Sequence, residues 1–456
     1  MSEPIISVSG LRGIVGETLT PEVAMRYVAA FAAALPPGPV VVSRDGRTTG
    51  QMLAAAVHSS LMGSGRQVID AGICATPTLG VLVRTQGAAG GVQISASHNP
   101  PQYNGLKLFS REGRVIPAAP GRAVLEAYRA GKADWAPHDR VGSLQSLADT
   151  TTDHLQLLLA TVDPQTIAPR KFRVLLDANA GAGSILGQKL LAALGCQVTL
   201  LGGEPTGLFE HPAEPTADNL KTVGKKLQSV RADIGFCQDP DADRLAIIDE
   251  NGRYIGEEYT LALCLDHLFR SQIGTAANSR HIVTNCATSR MAQDLALKYG
   301  GTFSRSAVGE ANVVDEMLSR AALFGGEGNG GPIDPRVGLV RDSFVGMALV
   351  LSAMASRGLK ISQLADELPR YEIRKTTIKL ASERLTAALA ALEKAFADAQ
   401  PDRQDGLRLD WSDRWLIVRG SNTEPIVRAI AEAPTAAAAE DLCRRAEEVI
   451  RQTLPA

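Results

Sequence analysis

Phe172-Arg173-Val174-Leu175-Leu176-Asp177, followed by the small-residue turn Ala178-Asn179-Ala180-Gly181-Ala182-Gly183, is the stretch whose reading decides the fold. A short apolar run bounded by such a turn reads as a buried strand. A helical segment follows, then apolar runs at Gln197–Leu201, Asp233–Cys237 and Leu245–Asp249, the last two separated by a polar loop. Strand and helix patterns in alternation predict an α/β layer built on a parallel sheet.

The same alternation extends outward. Upstream, Pro39–Val42, Gln67–Asp70 and Gly90–Ile94 read as strands, and Pro21–Leu35 and Gln51–Leu61 as helices between them. Thr20-Pro21 supplies an N-cap with proline at the first helical position. A polar stretch, Gly131–Ser143, leads to an apolar helical segment at His154–Val162. Downstream, a third unit begins near Gly256, with a strand at His281–Thr284 and a glycine-rich segment at Phe324–Gly331. From Tyr371 the pattern changes to strands Tyr371–Lys379, Trp415–Val418 and Ile426–Glu432 with two alanine-rich helices, an α+β pattern with an antiparallel sheet. The expectation is α/β: three similar mixed α/β domains (1–155, 156–255 and 256–369) plus a C-terminal α+β domain (370–456). The three units are similar enough in size to be distant duplicates.

Composition narrows the function. The 456 residues carry 47 basic and 49 acidic side chains, a near balance that argues against a general nucleic-acid or membrane-surface role. Aromatic residues are only 4%, which disfavours a stacking platform for bases. Six scattered cysteines form no Cys-x-x-Cys pair and suggest reduced thiols. With no signal-like N-terminus and no apolar run of spanning length, a cytoplasmic protein is expected.

Four polar loops, each after an apolar run, carry the chemistry. Ser95-Ala96-Ser97-His98-Asn99-Pro100 ends the Gly90–Ile94 strand, because Asn-Pro stops a ladder. Ser97 there is a candidate nucleophile or phosphate carrier with His98 beside it; an ordinary capped turn is the alternative. Asp239-Pro240-Asp241-Ala242-Asp243-Arg244 places three carboxylates at alternate positions, which repel unless a cation sits among them, and hard oxygen ligands suit Mg²⁺. An EF-hand is a poor reading, because Arg244 stands where that loop needs glycine and the flanks are strands. A solvated acidic turn is the other alternative. Gly325-Gly326-Glu327-Gly328-Asn329-Gly330-Gly331 lets backbone approach a ligand, with Glu327 and Asn329 as groups for sugar hydroxyls; the alternative is a hinge. Arg419-Gly420-Ser421-Asn422-Thr423-Glu424-Pro425, with Arg428, is a candidate phosphate cradle or else a capped hairpin. Arg12, the Arg44–Arg47 segment and Lys107 add cations that matter only if the fold gathers them.

Together these loops resemble the α-D-phosphohexomutase family, in four-domain organisation and in loop order, over essentially the whole length. Thr76-Pro77, Asn104-Gly105 with Lys107, and His211-Pro212-Ala213-Glu214-Pro215 also resemble family signatures. Many members carry a sugar loop Gly-Glu-x-Ser-Gly-His. Here Gly326-Glu327-Gly328-Asn329-Gly330-Gly331 lacks both Ser and His and is similar to a branch of phosphoglucosamine mutases and archaeal-type enzymes.

The resemblance implies domains arranged around a central active-site cleft and a phosphorylated Ser97. It implies Mg²⁺ on Asp239, Asp241 and Asp243 with the phosphoserine, and acid–base candidates Lys107 and His98, with Arg12 and Arg244 adding positive charge. Substrate phosphate would rest on Arg419, Ser421, Asn422, Thr423 and Arg428, and ring hydroxyls on Glu327 and Asn329. The implied reaction converts hexose 6-phosphate to hexose 1-phosphate through a 1,6-bisphosphate, which also serves as activator. Glucosamine 6-phosphate is the favoured substrate, with phosphomannomutase or phosphoglucomutase activity the alternative. The implied partner is a small hexose phosphate, on a monomer or homodimer. A metal-dependent sugar phosphatase and a non-catalytic sugar-phosphate sensor are readings from other classes.

Overall fold

The computed structural model describes residues 3–7, 9–271, 280–420 and 426–453. Three sheets are flanked by helices, and a fourth is fully antiparallel. The first sheet runs in the order Ile5–Ser7, Gly10–Ile14, Tyr103–Ser110, Gly90–Ile94, Val40–Arg44, Val68–Ile73, Leu144–Ser146. The second runs Leu245–Asp249, Ile234–Gln238, Arg173–Asp177, Gln197–Leu201, and the third Gly331–Ile333, Phe324–Glu327, His281–Asn285, Thr302–Ser306.

These sheets are mixed rather than parallel, which corrects the expectation from strand–helix alternation. In the second and third sheets, and in the set Val40–Arg44, Val68–Ile73, Gly90–Ile94 and Tyr103–Ser110 of the first, the first three of four strands in chain order pair in parallel through helical crossovers. The fourth follows by a short connection, which can only return antiparallel. The spatial order in each four-strand set is then fourth, third, first, second, and the first sheet adds Ile5–Ser7 and Gly10–Ile14 at one edge and Leu144–Ser146 at the other. The duplicate-like sizes noted in the sequence therefore have a common topology behind them. Each of these third-to-fourth-strand hairpins carries one of the polar loops, and the arginine loop likewise joins Trp415–Gly420 to Ile426–Ala433 in the fourth sheet.

Local chemistry explains the elements. The helix Pro21–Ala34 starts where Thr20 Oγ1 accepts from the Val23 amide at 3.3 Å, with proline in the first turn. Strands Gly90–Ile94, Ile234–Gln238 and Leu245–Asp249 are buried along their whole length, as continuous apolar runs between helix layers must be. The helix Ser343–Arg357 is buried from Ser343 to Ala355 and is capped by Asp342, which accepts from the Phe344 amide at 2.9 Å.

The second and third sheets share one continuous apolar core, in which Leu176, Leu190, Phe236, Leu265, Phe269, Phe344 and Leu351 all take part. The first sheet has its own clusters and so does the fourth. A small cluster of Cys286, Trp415 and Ile417 joins the fourth sheet to the third. A buried chain ties the first unit to this frame: Thr78 donates to His154 Nδ1 (3.0 Å), and His154 Nε2 donates to Asp342 (2.8 Å). All six cysteines are free, and no helix among the described residues is long and apolar enough to cross a membrane.

Candidate active site

Ser97 and the aspartate loop meet directly. Ser97 sits at φ +51°, a left-handed conformation that costs a non-glycine residue about 1–2 kcal/mol and needs external support. That support is Arg47. Its guanidinium donates to the carbonyls of Ser97 (2.7 Å), Asn99 (2.7 Å), Pro100 (2.9 Å) and Tyr103 (3.1 Å) and is paired with Asp45 at 3.1 Å. Ser95 Oγ donates to Asp45 (2.7 Å) and accepts from the Ser97 amide (2.8 Å). Ser97 Oγ thereby lies 2.8 Å from Asp239 Oδ2, to which it donates, and 3.4 Å from His98 Nδ1. Of the basic pair noted at Arg44–Arg47, the fold puts Arg47 behind the nucleophile rather than in front of it.

Asp239, Asp241 and Asp243 are all buried and each presents a ligand atom within 4.8 Å of the others. Ala242 at φ +55° turns the chain between the second and third carboxylates. Their oxygens divide the work. Asp241 Oδ2 accepts from Thr76 Oγ1 (2.5 Å) and Lys107 Nζ (2.6 Å), and Asp243 Oδ2 accepts from Lys107 Nζ (2.9 Å) and Arg341 (2.7 Å). Asp241 Oδ1 and Asp243 Oδ1 are buried with no hydrogen-bond partner, Arg244 Nε standing 3.9 Å from the latter. Two orphaned carboxylate oxygens beside a third carboxylate fit a hard divalent cation, and the all-oxygen donor set favours Mg²⁺ over softer metals.

Electrostatics agree. Burial and the repulsion of Asp243 and Asp241 hold Asp239 well above the usual carboxylate range. Burial also pushes Asp243 up, but Arg341, Lys107 and Arg244 outweigh it and leave its pKa depressed. Burial opposes the Lys107 ammonium, yet Asp241 and Asp243 prevail and raise its pKa, so Lys107 is a cation at neutral pH. Burial, with Arg244 and Arg12 nearby, pushes His98 down to about 3, so His98 is neutral.

Arg12 and Lys107 reach this cleft because their strands are paired in register. Arg12 lies opposite Gly105 and Gly10 opposite Lys107, which puts both cations on one face of the sheet. Gly105 is required there, since a Cβ would fall 2.6 Å from the Leu11 carbonyl oxygen and 3.0 Å from Arg12 Cγ. Arg12 Nη1 donates to Asn99 Oδ1 at 3.2 Å. Arg244 places its amide 3.1 Å from Asp239 Oδ1, while its Nε is buried without a hydrogen bond, 3.9 Å from Asp243 Oδ1.

The glycine loop sits against the aspartate loop, with the Leu245 amide donating to the Gly330 carbonyl at 2.8 Å. Glu327 is already well supplied with protein donors: Asn285 Nδ2 (2.7 Å), the Gly309 amide (3.3 Å), Arg341 Nη1 (2.8 Å) and Asn329 Nδ2 (3.4 Å). Asn329 Oδ1 is buried and unpartnered. Gly328 is required by Glu258, whose carboxylate would lie 1.9 Å from an added Cβ. Glu258, Asn285, Glu310 and Arg341 were not apparent from the sequence, because none lies in a loop with a visible motif. The one local signal near Arg341 is Asp342-Ser343 ahead of a mostly apolar run, which points to a helix start and says nothing of the guanidinium.

In the fourth sheet Arg419 and Arg428 face each other in register on adjacent strands, and Arg419 Nε lies 3.1 Å from Asp405 Oδ2. Two like charges directly opposite are unfavourable unless an anion sits between or beside them. Ser421, Asn422 and Thr423 lie outside the described residues.

Family comparison matches the four units in order. Residues 5–134, 152–252 and 257–371 match phosphoglucomutase/phosphomannomutase alpha/beta/alpha domains I, II and III, and 377–449 match the C-terminal domain of the same family. The chain is 33% identical over 450 residues to a Pyrococcus abyssi protein named "Probable phosphoglucosamine mutase", covering 98% of this chain and 97% of that one. It is 35% identical to a Thermococcus kodakarensis phosphoglucomutase/phosphomannomutase, covering 98% of each. A solved phosphoglucomutase/phosphomannomutase family protein from Burkholderia thailandensis superposes with a TM-score of 0.83 at 26% identity over 98% of both chains. A serine held against three aspartates, on hairpins repeated from sheet to sheet and matched domain by domain, leaves one assignment: the chain belongs to the phosphoglucomutase/phosphomannomutase family, the phosphohexomutases, and is an intramolecular phosphotransferase.

Proposed function

We propose that this enzyme interconverts glucosamine 6-phosphate and glucosamine 1-phosphate through phosphorylated Ser97 and a 1,6-bisphosphate. The observation that carries the reading is the 2.8 Å contact of Ser97 Oγ with Asp239, beside the orphaned oxygens of Asp241 and Asp243. Asp239, Asp241 and Asp243 would hold Mg²⁺, which when bound withdraws charge from a transferring phosphoryl group.

The chain's own residues do the rest. Arg47 keeps the Ser97 turn in its strained form, so the oxygen that accepts or donates phosphate stays fixed. Arg12, Arg244 and Lys107 surround it with positive charge, which suits a group carrying about −1.5 to −2. Lys107, held as an ammonium, is placed to donate a proton or stabilise an alkoxide rather than to accept a proton; His98, neutral and with its pKa pushed down, is a weak base and is placed as a hydrogen-bond partner of Ser97. Asn329 offers its free amide oxygen to a ring hydroxyl or amine, and Glu327 braces it. Arg419 and Arg428, with Ser421, Asn422 and Thr423, form the cradle for the phosphate not being transferred. The cradle binds a phosphate irrespective of the carbon that carries it, so the bisphosphate can turn and return its other phosphate to Ser97. A 1,6-bisphosphate would also serve as activator by loading Ser97.

Preference for the 2-amino sugar is supported by the relatives named phosphoglucosamine mutase, whereas the Thermococcus relative at 35% identity supports hexose substrates with a 2-hydroxyl. Intact mass should show one phosphate on the active protein, and Ser97→Ala should lose that phosphate and all turnover while unfolding at a near-normal temperature. Unimpaired turnover by Ser97→Ala would overturn the phosphoserine reading. Glucosamine, mannose and glucose 6-phosphates offered in competition decide the sugar, and release of inorganic phosphate without isomerisation would favour a phosphatase.

A further inference from the structure

Arg341 stands immediately before the N-cap of the Ser343–Arg357 helix, and its buried guanidinium is shared among three carboxylates. It donates to Asp243 Oδ2 (2.7 Å), Glu327 Oε2 (2.8 Å) and Glu310 Oε2 (3.2 Å), while its amide donates to Glu310 Oε1 (3.0 Å). Asp243 belongs to the aspartate loop and Glu327 to the glycine loop, so one planar group spans both.

The surrounding chain is built to place it. Gly331 pairs with Glu327 across the hairpin, and a Cβ on Gly331 would lie 2.4 Å from Arg341 Cδ. The absent side chain is the space the arginine stem fills. Next to it, the Asp342 amide donates to the Pro332 carbonyl (2.8 Å) on the glycine-loop side, and Ser343 Oγ donates to the Ala242 carbonyl (2.7 Å) on the aspartate-loop side. Arg341 therefore cannot drift toward one loop without straining its hold on the other.

Its effect on Asp243 is directional. With Oδ2 held by Arg341 and Lys107, the carboxylate presents Oδ1, the buried atom with no hydrogen bond, 3.9 Å from Arg244 Nε. On Glu327, Arg341 takes the oxygen that also receives Asn329 Nδ2, and so fixes the amide whose Oδ1 is free. We propose that Arg341 is a positioning residue that orients Asp243 and Glu327 together, so that divalent-cation affinity and ring recognition are set by one side chain. The ring half rests on the proposed mutase function; the cation half does not.

Removing a buried cation from three carboxylates risks the fold, so the test uses Arg341→Lys, which keeps the charge but cannot hold the three in a plane. Gly331→Ala keeps the arginine and crowds its stem. Mn²⁺ binding to the full chain is read by electron paramagnetic resonance, with phosphorylation state matched by intact mass. Both variants should bind Mn²⁺ about tenfold more weakly, the size expected for losing an outer support of a metal ligand. Glu327→Gln should weaken Mn²⁺ about threefold in the parent, and that shift should vanish in the Arg341→Lys background, since it travels through the guanidinium. The KM for glucosamine 6-phosphate should rise with Arg341→Lys.

Mn²⁺ affinity within twofold of the parent in both single variants overturns the proposal, whatever happens to thermal stability. An equal Glu327→Gln shift in both backgrounds reduces the coupling to a long-range field and also overturns it. An unchanged KM overturns the ring half. Loss of Mn²⁺ affinity as described, in a parent that isomerises no hexose 6-phosphate, leaves the positioning role standing and overturns the mutase reading instead.

Discussion

Arg47 shows how much a single buried side chain can carry. Four carbonyls and Asp45 converge on it, and of these Asp45 and Ser97 are buried away from water. Arg47→Ala should lower the unfolding free energy by about 3–5 kcal/mol in urea titration, because it leaves Asp45 as an unpaired buried charge. Arg47→Lys should fold better yet still lose turnover, since an ammonium cannot serve the four carbonyls and Asp45 at once. His98 supplies a pH signature. Its folded pKa, pushed down to about 3, lies below the ordinary value near 6.5, so the unfolded chain takes up a proton that the folded one refuses. That contribution is intact above pH 6.5 and is lost progressively as pH falls from 6.5 toward 3. Asp45, raised to about 6 by burial, acts with the opposite sign, adding stability as pH falls below 6. The clean measurement is therefore the difference between the parent and His98→Gln in urea midpoint. The variant should show a flatter loss between pH 6.5 and 4, and parallel curves would refute the assignment.

Among the elements, the hairpins are where chemistry collects. The small-residue turn after Arg173–Asp177 turns out to be the floor of the aspartate loop. The Ala182 amide donates to the Pro240 carbonyl at 2.8 Å, and a Cβ at Gly181 would lie 2.5 Å from that same oxygen. Gly181→Val should lift the loop, weaken Mn²⁺ binding about tenfold and leave far-ultraviolet circular dichroism unchanged.

This turn also marks what was legible in the sequence. Strands Gly90–Ile94, Gln197–Leu201 and Leu245–Asp249 were readable to the residue, because short apolar runs between turn residues leave little choice. The antiparallel fourth strands were not, since strand direction depends on connection length and partner choice rather than on the apolar pattern. Ser97 and the three aspartates were readable because each sits in a compact polar motif after a strand. Arg341 and Glu310 were hidden, and Arg47 was visible only as a cation without a role, because their roles arise from contacts across 98, 31 and 50 residues of chain.

At the scale of the whole molecule, the cores define the working parts. The second and third units share one apolar core, while the first and fourth have their own. Hydrogen exchange should find the buried strands Ile234–Gln238 and His281–Asn285 opening with a common free energy. The strands of the fourth sheet should open separately and more readily, since Cys286, Trp415 and Ile417 make up the small apolar cluster that joins them to the third. Fully concerted exchange across all four sheets would contradict this division.

The narrow seam at Trp415 has a kinetic meaning. Aspartate and glycine loops sit on a common wall, whereas Arg419 and Arg428 sit across the seam, so on the proposed function a ligand carrying two phosphates would span two parts with separate apolar cores. Turning such a ligand end for end would require the grip across the seam to let go, and every release would also be an opportunity for loss to solvent. On that reading the stiffness of the seam around Trp415 would set how many turnovers the enzyme completes before it must be primed again.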